Sequence, residues 1–324
     1  MQDIDVDAHR VALDDIDEGN HLKLALERQA FSPAAQCTPR RDQPRYFRPV
    51  LPTDDQELLR RAGIVDPPPA SEGLFREGCW LRKISGEQVL LFGGGRALLL
   101  EVAHPLVAAG VADHSDFRQD PFGRLQRTLD AMSAIVFSKR DVALAAVRGV
   151  ERAHQRIRGS LESAAGPFAA GTPYSGRDPE LVQWVWATLV DTSLVVYERF
   201  VEDLSDEIRE RYYADHRSVG SLLGVPEELL PADHVAFRAW YGETLESEAL
   251  TVTDTARAIA ASVLDPVVPL PGIGLVRNLT AGLLPSRLRQ AYGLAWDDSR
   301  AAQVEALSAS VRALRKGTGK AAEA

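Results

Sequence analysis

The sequence predicts an all-α protein: a single helical domain of roughly ten helices around a buried cofactor pocket, with a loosely ordered N-terminal extension. Hydrophobic residues recur at helical spacing along most of the chain, and no segment alternates with period two for long. The 324 residues, 45% of them hydrophobic and 26% charged, suffice for one large domain with a substantial core.

The chain divides by composition into a polar extension (1–45), a helical domain (46–316) and a short tail (317–324) that we expect to fray. DDQELLRRAGI begins with residues that cap helices well and predicts a short helix that ends before Pro67. The stretch 75–92 is mixed and is compatible with a short strand pair or an irregular entry to the core.

Three glycines from Gly93 open a long predicted helix over 96–113, which Pro105 should kink. The next helix spans about 122–137. The one after it begins with Ser138 or Asp141 as its N-cap and ends at Gly159, a residue typical of the C′ position. A loop over 166–176 precedes Asp178, an N-cap followed by proline, which begins a long apolar helix through Val201. Further helices are predicted near 205–218, 226–247, 252–263, 272–283, 285–293 and 297–315.

Composition also restricts the class of protein. A net charge of −9 argues against a broad nucleic-acid or anionic-membrane surface. The two cysteines, Cys37 and Cys79, form neither a CxxC motif nor a zinc spacing, which favours a reducing compartment. The acidic N-terminus lacks signal-peptide features and no apolar run reaches about 20 residues. We therefore expect a cytoplasmic protein.

His154 is the strongest single candidate for chemistry. Val147, Val150, His154 and Ile157 follow alternating spacings of three and four, which places the imidazole on the apolar stripe of its helix. A neutral imidazole can ligate iron, and one axial histidine can hold a haem. The alternative, which periodicity alone favours, is a buried histidine bonded to a carbonyl group.

Arg124, Arg127 and Thr128 form a second group, because positions i, i+3 and i+4 share one face of a helix. Two guanidinium groups and a hydroxyl on one face suit carboxylates, such as haem propionates, and a bound oxygen species. The alternative is a solvated face that pairs with Asp120 or Asp130.

His104 and Asp191 are further candidates for acid–base work. His104 precedes the kinking Pro105 and either lines a pocket or is satisfied in the core. Asp191 lies among apolar neighbours, and either exchanges protons with a raised pKa or pairs with an arginine such as Arg199. His114, at a helix end, is better explained as a capping residue. Trp184 and Trp186 are typical of core packing.

Read in order, GGGRALLLEVAHPLVAAGVADHS, DPFGRLQRTL, ERAHQRIRG and DPELVQWVWATLVDTS resemble the MpaB-type oxygenases, whose relatives include the rubber oxygenases, or latex-clearing proteins. The resemblance covers roughly residues 86–201 well and the C-terminal helices more loosely. It implies a mostly helical protein that carries haem b and uses dioxygen on a lipophilic, isoprenoid or lipid-like substrate.

Carried over by motif, the resemblance makes His154 the iron ligand and places Arg124, Arg127 and Thr128 on the distal side. Arg127 stands where rubber oxygenases have lysine, so a lysine-capped iron is not expected. Trp186 stands where many MpaB-type sequences have histidine, and Ala108 lies near the spacing of the glutamate attributed to rubber cleavage.

The resulting prediction is a haem-b-dependent oxygenase in which His154 holds iron and Arg124 and Arg127 anchor a propionate or polarise oxygen. Thr128 donates a hydrogen bond, and His104 or Asp191 manages protons. Two alternatives stay open: a haem-free helical protein that binds a hydrophobic ligand, and a haem protein for sensing or storage.

Overall fold

The computed structural model describes residues 51–52, 54–115, 123–265 and 272–322; the side chains at 124–125 and from 316 onward lie outside that description. The predicted extension over 1–45 also lies outside it. The statements below concern the described part of the chain.

Helices make up nearly all of the regular structure, which confirms the all-α prediction. They are α1 (Asp55–Arg61), α2 (Trp80–Ser85), α3 (Gly94–Val102), α4 (Pro105–His114), α5 (Gly123–Phe137), α6 (Arg140–Arg156), α7 (Pro179–Phe200), α8 (Asp206–Leu222), α9 (His234–Glu246), α10 (Asp254–Leu264), α11 (Ile273–Leu283), α12 (Ser286–Ala291) and α13 (Asp298–Ala322). Two 3-10 helices (Gln88–Gly93 and Glu227–Leu229) and one antiparallel pair, β1 (Arg158–Ser160) with β2 (Pro173–Ser175), complete the described elements.

Helices α3 and α7 lie at the centre of the fold. Helix α3 packs against α4, α7, α10 and α11, while α7 also packs against α2, α8, α13 and the first 3-10 helix. Buried residues lie on nearly every side of α7, and they include Trp184, Trp186 and Phe200. A helix that is apolar on nearly every side belongs in the interior, which is where α7 lies.

Helix starts follow the predicted caps where the sequence offers a good one. The carboxylate of Asp54 accepts hydrogen bonds from the backbone at Gln56 and Glu57 and caps α1. Asp178 accepts from the Glu180 backbone at 3.0 Å, with Pro179 in the first turn of α7, as predicted.

Three predictions in the central segment were wrong. The stretch 75–92 contains α2 and a 3-10 helix and no strand pair. The predicted 96–113 helix is two helices, with a bend of 108° between the segments on either side of residues 103–104. Pro105 begins α4 instead of kinking a continuous helix, because it has no N–H to donate and fits the first turn.

Helix α6 ends at Arg156, not at the predicted Gly159. Its N-cap position is Lys139, without a side-chain cap, and neither Ser138 nor Asp141 serves. Gly159 lies in β1 opposite Tyr174, where an added Cβ would approach the tyrosine hydroxyl to 2.2 Å. The glycine therefore permits a close strand contact and does not terminate a helix.

The C-terminal helices agree more closely with prediction. The predicted 226–247 helix divides into the 3-10 turn Glu227–Leu229 and α9, and the last helix continues to Ala322 instead of ending at 315. In the described ranges no single helix is long and apolar enough to span a membrane. The bent pair Gln88–Val102 and Pro105–His114 would pass that test on length and composition alone.

Candidate active-site cavities

Two adjoining cavities lie beside α7. Cavity A, of about 630 Å³, is enclosed by α4, α5, α6, β2 and α7; its lining includes Val107, Val111, Arg127, Thr128, His154, Val185 and Trp186. Its volume falls within the range of small-molecule and cofactor sites. Most of the lining residues are apolar, and the polar ones include Arg127 and Thr128 on α5 and His154 and Arg156 on α6.

His154 lies on the wall of cavity A, in the last turn of α6. Val147 is buried two turns earlier on the same face, so the predicted apolar stripe extends to the histidine. Gly176 packs against the backbone of this turn: an added Cβ would come within 2.8 Å of the His154 carbonyl oxygen and 2.9 Å of Ile157 Cβ. Tight backbone packing thus fixes the turn that presents His154.

Two of the three predicted residues of α5 line the same cavity. Arg127 and Thr128 both belong to the wall of cavity A, as His154 does. The side chain of Arg124, one turn earlier on α5, lies outside the described part of the structure. The structure thus brings Arg127, Thr128 and His154 to one cavity, and the roles predicted for all four residues stay predictions.

His104 and His114 have structural contacts. His104 is the N-cap of α4: its Nδ1 accepts from the Leu106 backbone at 3.3 Å, and its ring lies 5.0 Å from Phe168. His114, at the end of α4 and on the wall of cavity A, contacts the backbone of Arg158 through Nε2. Within the described residues His104 lines neither cavity, so its predicted role in proton transfer stays a prediction.

Asp191 forms a buried ion pair with Arg96, at 2.6 Å between Oδ2 and Nη2, and not with Arg199 as suggested. Arg199 instead contacts Glu305 at the surface. Arg96 also donates to the Leu283 carbonyl at 2.8 Å and to Thr192 Oγ1 at 2.5 Å.

The charge of Arg96 is retained in the interior. Burial, the largest single effect, would lower the pKa of Arg96, but the combined effects of Asp191 and Tyr241 outweigh burial and raise that pKa. The pair holds α3, α7 and α11 together, and the described lining of both cavities leaves out Asp191.

Cavity B, of about 520 Å³, lies on the other side of α5; its lining includes Leu98, Leu129, Val136, Thr192, Ser193, His216 and Ile259. The two cavities share part of their walls, namely Glu101, Val111, Thr128, Met132 and Leu189. Thr128 therefore faces both spaces. Glu101, only 4% exposed, places a carboxylate at the same boundary.

His216 is the deepest polar ring in cavity B. It is 2% exposed, and burial lowers its pKa to about 4, so the imidazole is neutral at neutral pH. The indole N–H of Trp186 donates to Nδ1 of His216 at 3.0 Å, and lies equally close to the carbonyl of the same residue. Because indole nitrogen only donates, we assign Nδ1 as the acceptor of this hydrogen bond and place the ring proton on Nε2.

Sequence reasoning missed both Glu101 and His216. Glu101 follows three leucines in LLLEVAHP, and a lone carboxylate in so apolar a run could have indicated a buried polar residue. His216 lies in the polar run YADHRS, where nothing marks it as buried. Within the described chain no three His, Cys, Asp or Glu side chains come together as a metal cluster.

A helical core with two adjoining cavities beside one central helix defines a candidate small-molecule site. A family model described as "ER-bound oxygenase mpaB/B'/Rubber oxygenase, catalytic domain" matches residues 81–315. The chain belongs to this family, which confirms the resemblance drawn from the sequence motifs. It is an oxygenase-family protein.

Two relatives are similar over much of their length. Uncharacterized protein Mb2261 of Mycobacterium bovis and uncharacterized protein Rv2237 of Mycobacterium tuberculosis are each 28% identical to this chain over 225 residues. The matched region covers 66% of this chain and 84% of each relative. No solved structure matches the chain.

Proposed function

We propose that this protein is a haem-b-dependent oxygenase that uses dioxygen to oxidise or cleave a lipophilic, isoprenoid or lipid-like substrate. The observation that carries the proposal is the meeting of His154, Arg127 and Thr128 on the wall of one largely apolar cavity of about 630 Å³. Family membership supports the oxygenase class, and the cavity supports the cofactor.

The residues around cavity A fit a haem group. His154 supplies an imidazole, the commonest protein ligand of haem iron, from a turn that tight packing holds in place. Arg127 and Arg156 supply fixed positive charge at the wall, as the two propionate carboxylates of a haem require. Valine, leucine and tryptophan side chains of α4 and α7 form an apolar surface that suits the porphyrin faces.

In this proposal each residue has a separate task. His154 would hold the iron, and Arg127, with Arg124, would anchor a propionate or polarise the oxygen species. Thr128 would donate a hydrogen bond at the boundary of the two cavities. Haem, when bound, supplies the electron transfer that lets dioxygen react with an unactivated substrate.

The proton-handling group has a candidate that the sequence did not suggest. Asp191 is paired with Arg96 and His104 caps α4, and neither lines a described cavity wall, whereas Glu101 lines both cavities, as Thr128 does. We assign Glu101 the task of holding or moving a proton there, and retain His104 and Asp191 as untested predictions. Because Ala108 occupies the spacing of the rubber-cleaving glutamate, cleavage and simple oxygenation both stay open. A cytoplasmic location likewise stays a prediction.

Optical titration of the purified protein with hemin tests the proposal. The wild type should develop a Soret band with a defined stoichiometry, and His154→Ala should lose it. His114→Ala is the matched control, since His114 lines the same cavity but bonds to the Arg158 backbone; it should keep the band. Hemin binding that survives His154→Ala, or that His114→Ala abolishes, would contradict the assignment of the ligand.

A haem-free protein that binds a hydrophobic ligand is the second candidate, and cavity B favours it because that space is built without a contribution from His154. A wild-type protein that does not take up hemin but binds a lipophilic probe would support it. Haem uptake without oxygen consumption on any lipophilic olefin, with reductant present, would favour the sensing or storage alternative.

A further inference from the structure

Cavity B contains a buried hydrogen-bond donor that the oxygenase proposal does not use. His216 is 2% exposed and lines the cavity, and the described residues form no hydrogen bond to its Nε2. Because Trp186 donates to Nδ1, the free position is an N–H donor with a fixed direction. An unpaired donor in the interior is unfavourable, so a bound ligand atom that accepts from it gains affinity.

The rest of cavity B is apolar around this donor. Helices α3 and α5 contribute Ala97, Leu98, Leu129 and Val136, and α10 contributes Ile259 and Val263. An alkyl chain along these walls would reach the shared boundary at Thr128, where cavity A begins. The cavity therefore suits a molecule with an oxygen atom at one end, next to His216, and a carbon chain that extends toward Thr128.

Charge at the wall selects between classes of lipid. The described lining of cavity B includes the acidic residues Glu101 and Asp130 and contains no lysine or arginine. A fatty-acid anion that entered it would lose hydration without gaining a cationic partner from these residues, which is unfavourable. A neutral alcohol or carbonyl compound needs no such partner.

We propose that cavity B is the substrate site and that it takes a neutral lipid whose single hydroxyl or carbonyl oxygen accepts a hydrogen bond from His216 Nε2. This inference rests on the proposed function and names its substrate class. His216 is then a residue that determines specificity, and Trp186 positions it by holding the proton on Nε2.

Displacement of the neutral fluorophore aminoanthracene by dodecanol, dodecane and dodecanoate tests this proposal. Dodecanol should bind about tenfold more tightly than dodecane, the effect of one buried hydrogen bond, and dodecanoate should bind more weakly than dodecanol. His216→Phe should bring dodecanol to the affinity of dodecane while leaving dodecane unchanged. His216→Gln, which keeps an N–H donor, should restore part of the preference.

The location is tested with two tryptophan substitutions on α10. Ser262 lines cavity B and Ala261 beside it is exposed and does not line it. Ser262→Trp should fill the cavity and abolish displacement by dodecanol, whereas Ala261→Trp, the matched control, should not change it. Equal effects of the two variants would overturn the location.

Three results would overturn the proposal: an unchanged dodecanol preference in His216→Phe, tightest binding of dodecanoate, or failure of the wild type to bind dodecanol. Failure of the haem proposal gives a different pattern. His154→Ala should lose the Soret band and keep the dodecanol preference, while folded His216→Phe should keep the Soret band and lose the preference. Far-UV circular dichroism confirms that each variant is folded.

Discussion

Removal of one partner of the Arg96–Asp191 pair is the sharpest test of how the core is held. Both side chains are less than one tenth exposed, and the guanidinium is bonded to Asp191, Thr192 and the Leu283 carbonyl. Asp191→Asn keeps the volume and leaves the charge of Arg96 without its counter-ion. Loss of one partner of a buried pair costs about 3–5 kcal/mol. We expect a loss of that size in the free energy of unfolding.

The double variant Arg96→Met/Asp191→Leu should cost much less than the sum of the two single changes, because no charge is left in the interior. Glu305→Gln is the control: its partner Arg199 lies 2.8 Å away, but both side chains are more than one third exposed. We expect a change of about 0–1 kcal/mol there. Urea unfolding followed by far-UV circular dichroism measures these variants and the single changes Arg96→Met and Asp191→Leu. A loss below 1 kcal/mol for Asp191→Asn, or additive single effects, would refute the reasoning.

Three further predictions concern packing and pH. Gly95→Ala should destabilise the fold by about 1–3 kcal/mol, because the added Cβ would clash with the buried Thr280 Oγ1. Adding Thr280→Ala to this variant should recover much of the lost stability, as measured by a thermal melt. Gly176→Ala should weaken hemin binding in an optical titration, because its Cβ would meet the His154 carbonyl oxygen; wild-type affinity would contradict the packing. The lowered pKa of His216, about 4 against 6.5 for the free side chain, means that the unfolded chain binds more protons between these values. The contribution of His216 to stability is therefore complete above pH 6.5 and is lost as the pH falls toward 4, and His216→Gln should flatten urea-unfolding stability across that window.

Sequence reasoning succeeded where local interactions decide the outcome. Asp54 and Asp178 marked helix starts correctly, because a cap bonds to backbone only two or three residues away. It failed at Pro105, which begins a new helix instead of kinking one, and at Gly159, where a distant segment packs against the glycine. Gly159 looks like a helix end, and only the approach of Tyr174 shows why a glycine is needed.

The same distinction between local and long-range contacts applies to the candidate site. Helical spacing placed Arg127, Thr128 and His154 on inward faces, and the structure brings them to one cavity. The partner of Asp191 could not be predicted from helical spacing. Arg199 is eight residues away, which is about 12 Å along a helix and too far for an ion pair. The actual partner, Arg96, is 95 residues away in sequence and comes close only in the folded chain. His216 was missed for the same reason, since its contact with Trp186 exists only in the folded chain.

Helix α7 explains why two cavities share one site. Val185, Trp186 and Leu189 of this helix line cavity A. Leu189 also lines cavity B, together with Thr192 and Ser193 of the next turn. Successive turns of one helix therefore line the two cavities. Trp186 adds a direct link, because its ring belongs to cavity A while its N–H bonds to His216 of cavity B. Many MpaB-type sequences have histidine at this position. In this chain the tryptophan donates a hydrogen bond and cannot accept one. Under the substrate proposal it therefore fixes the donor direction of His216, and with it the polarity of the lipid end that cavity B would hold.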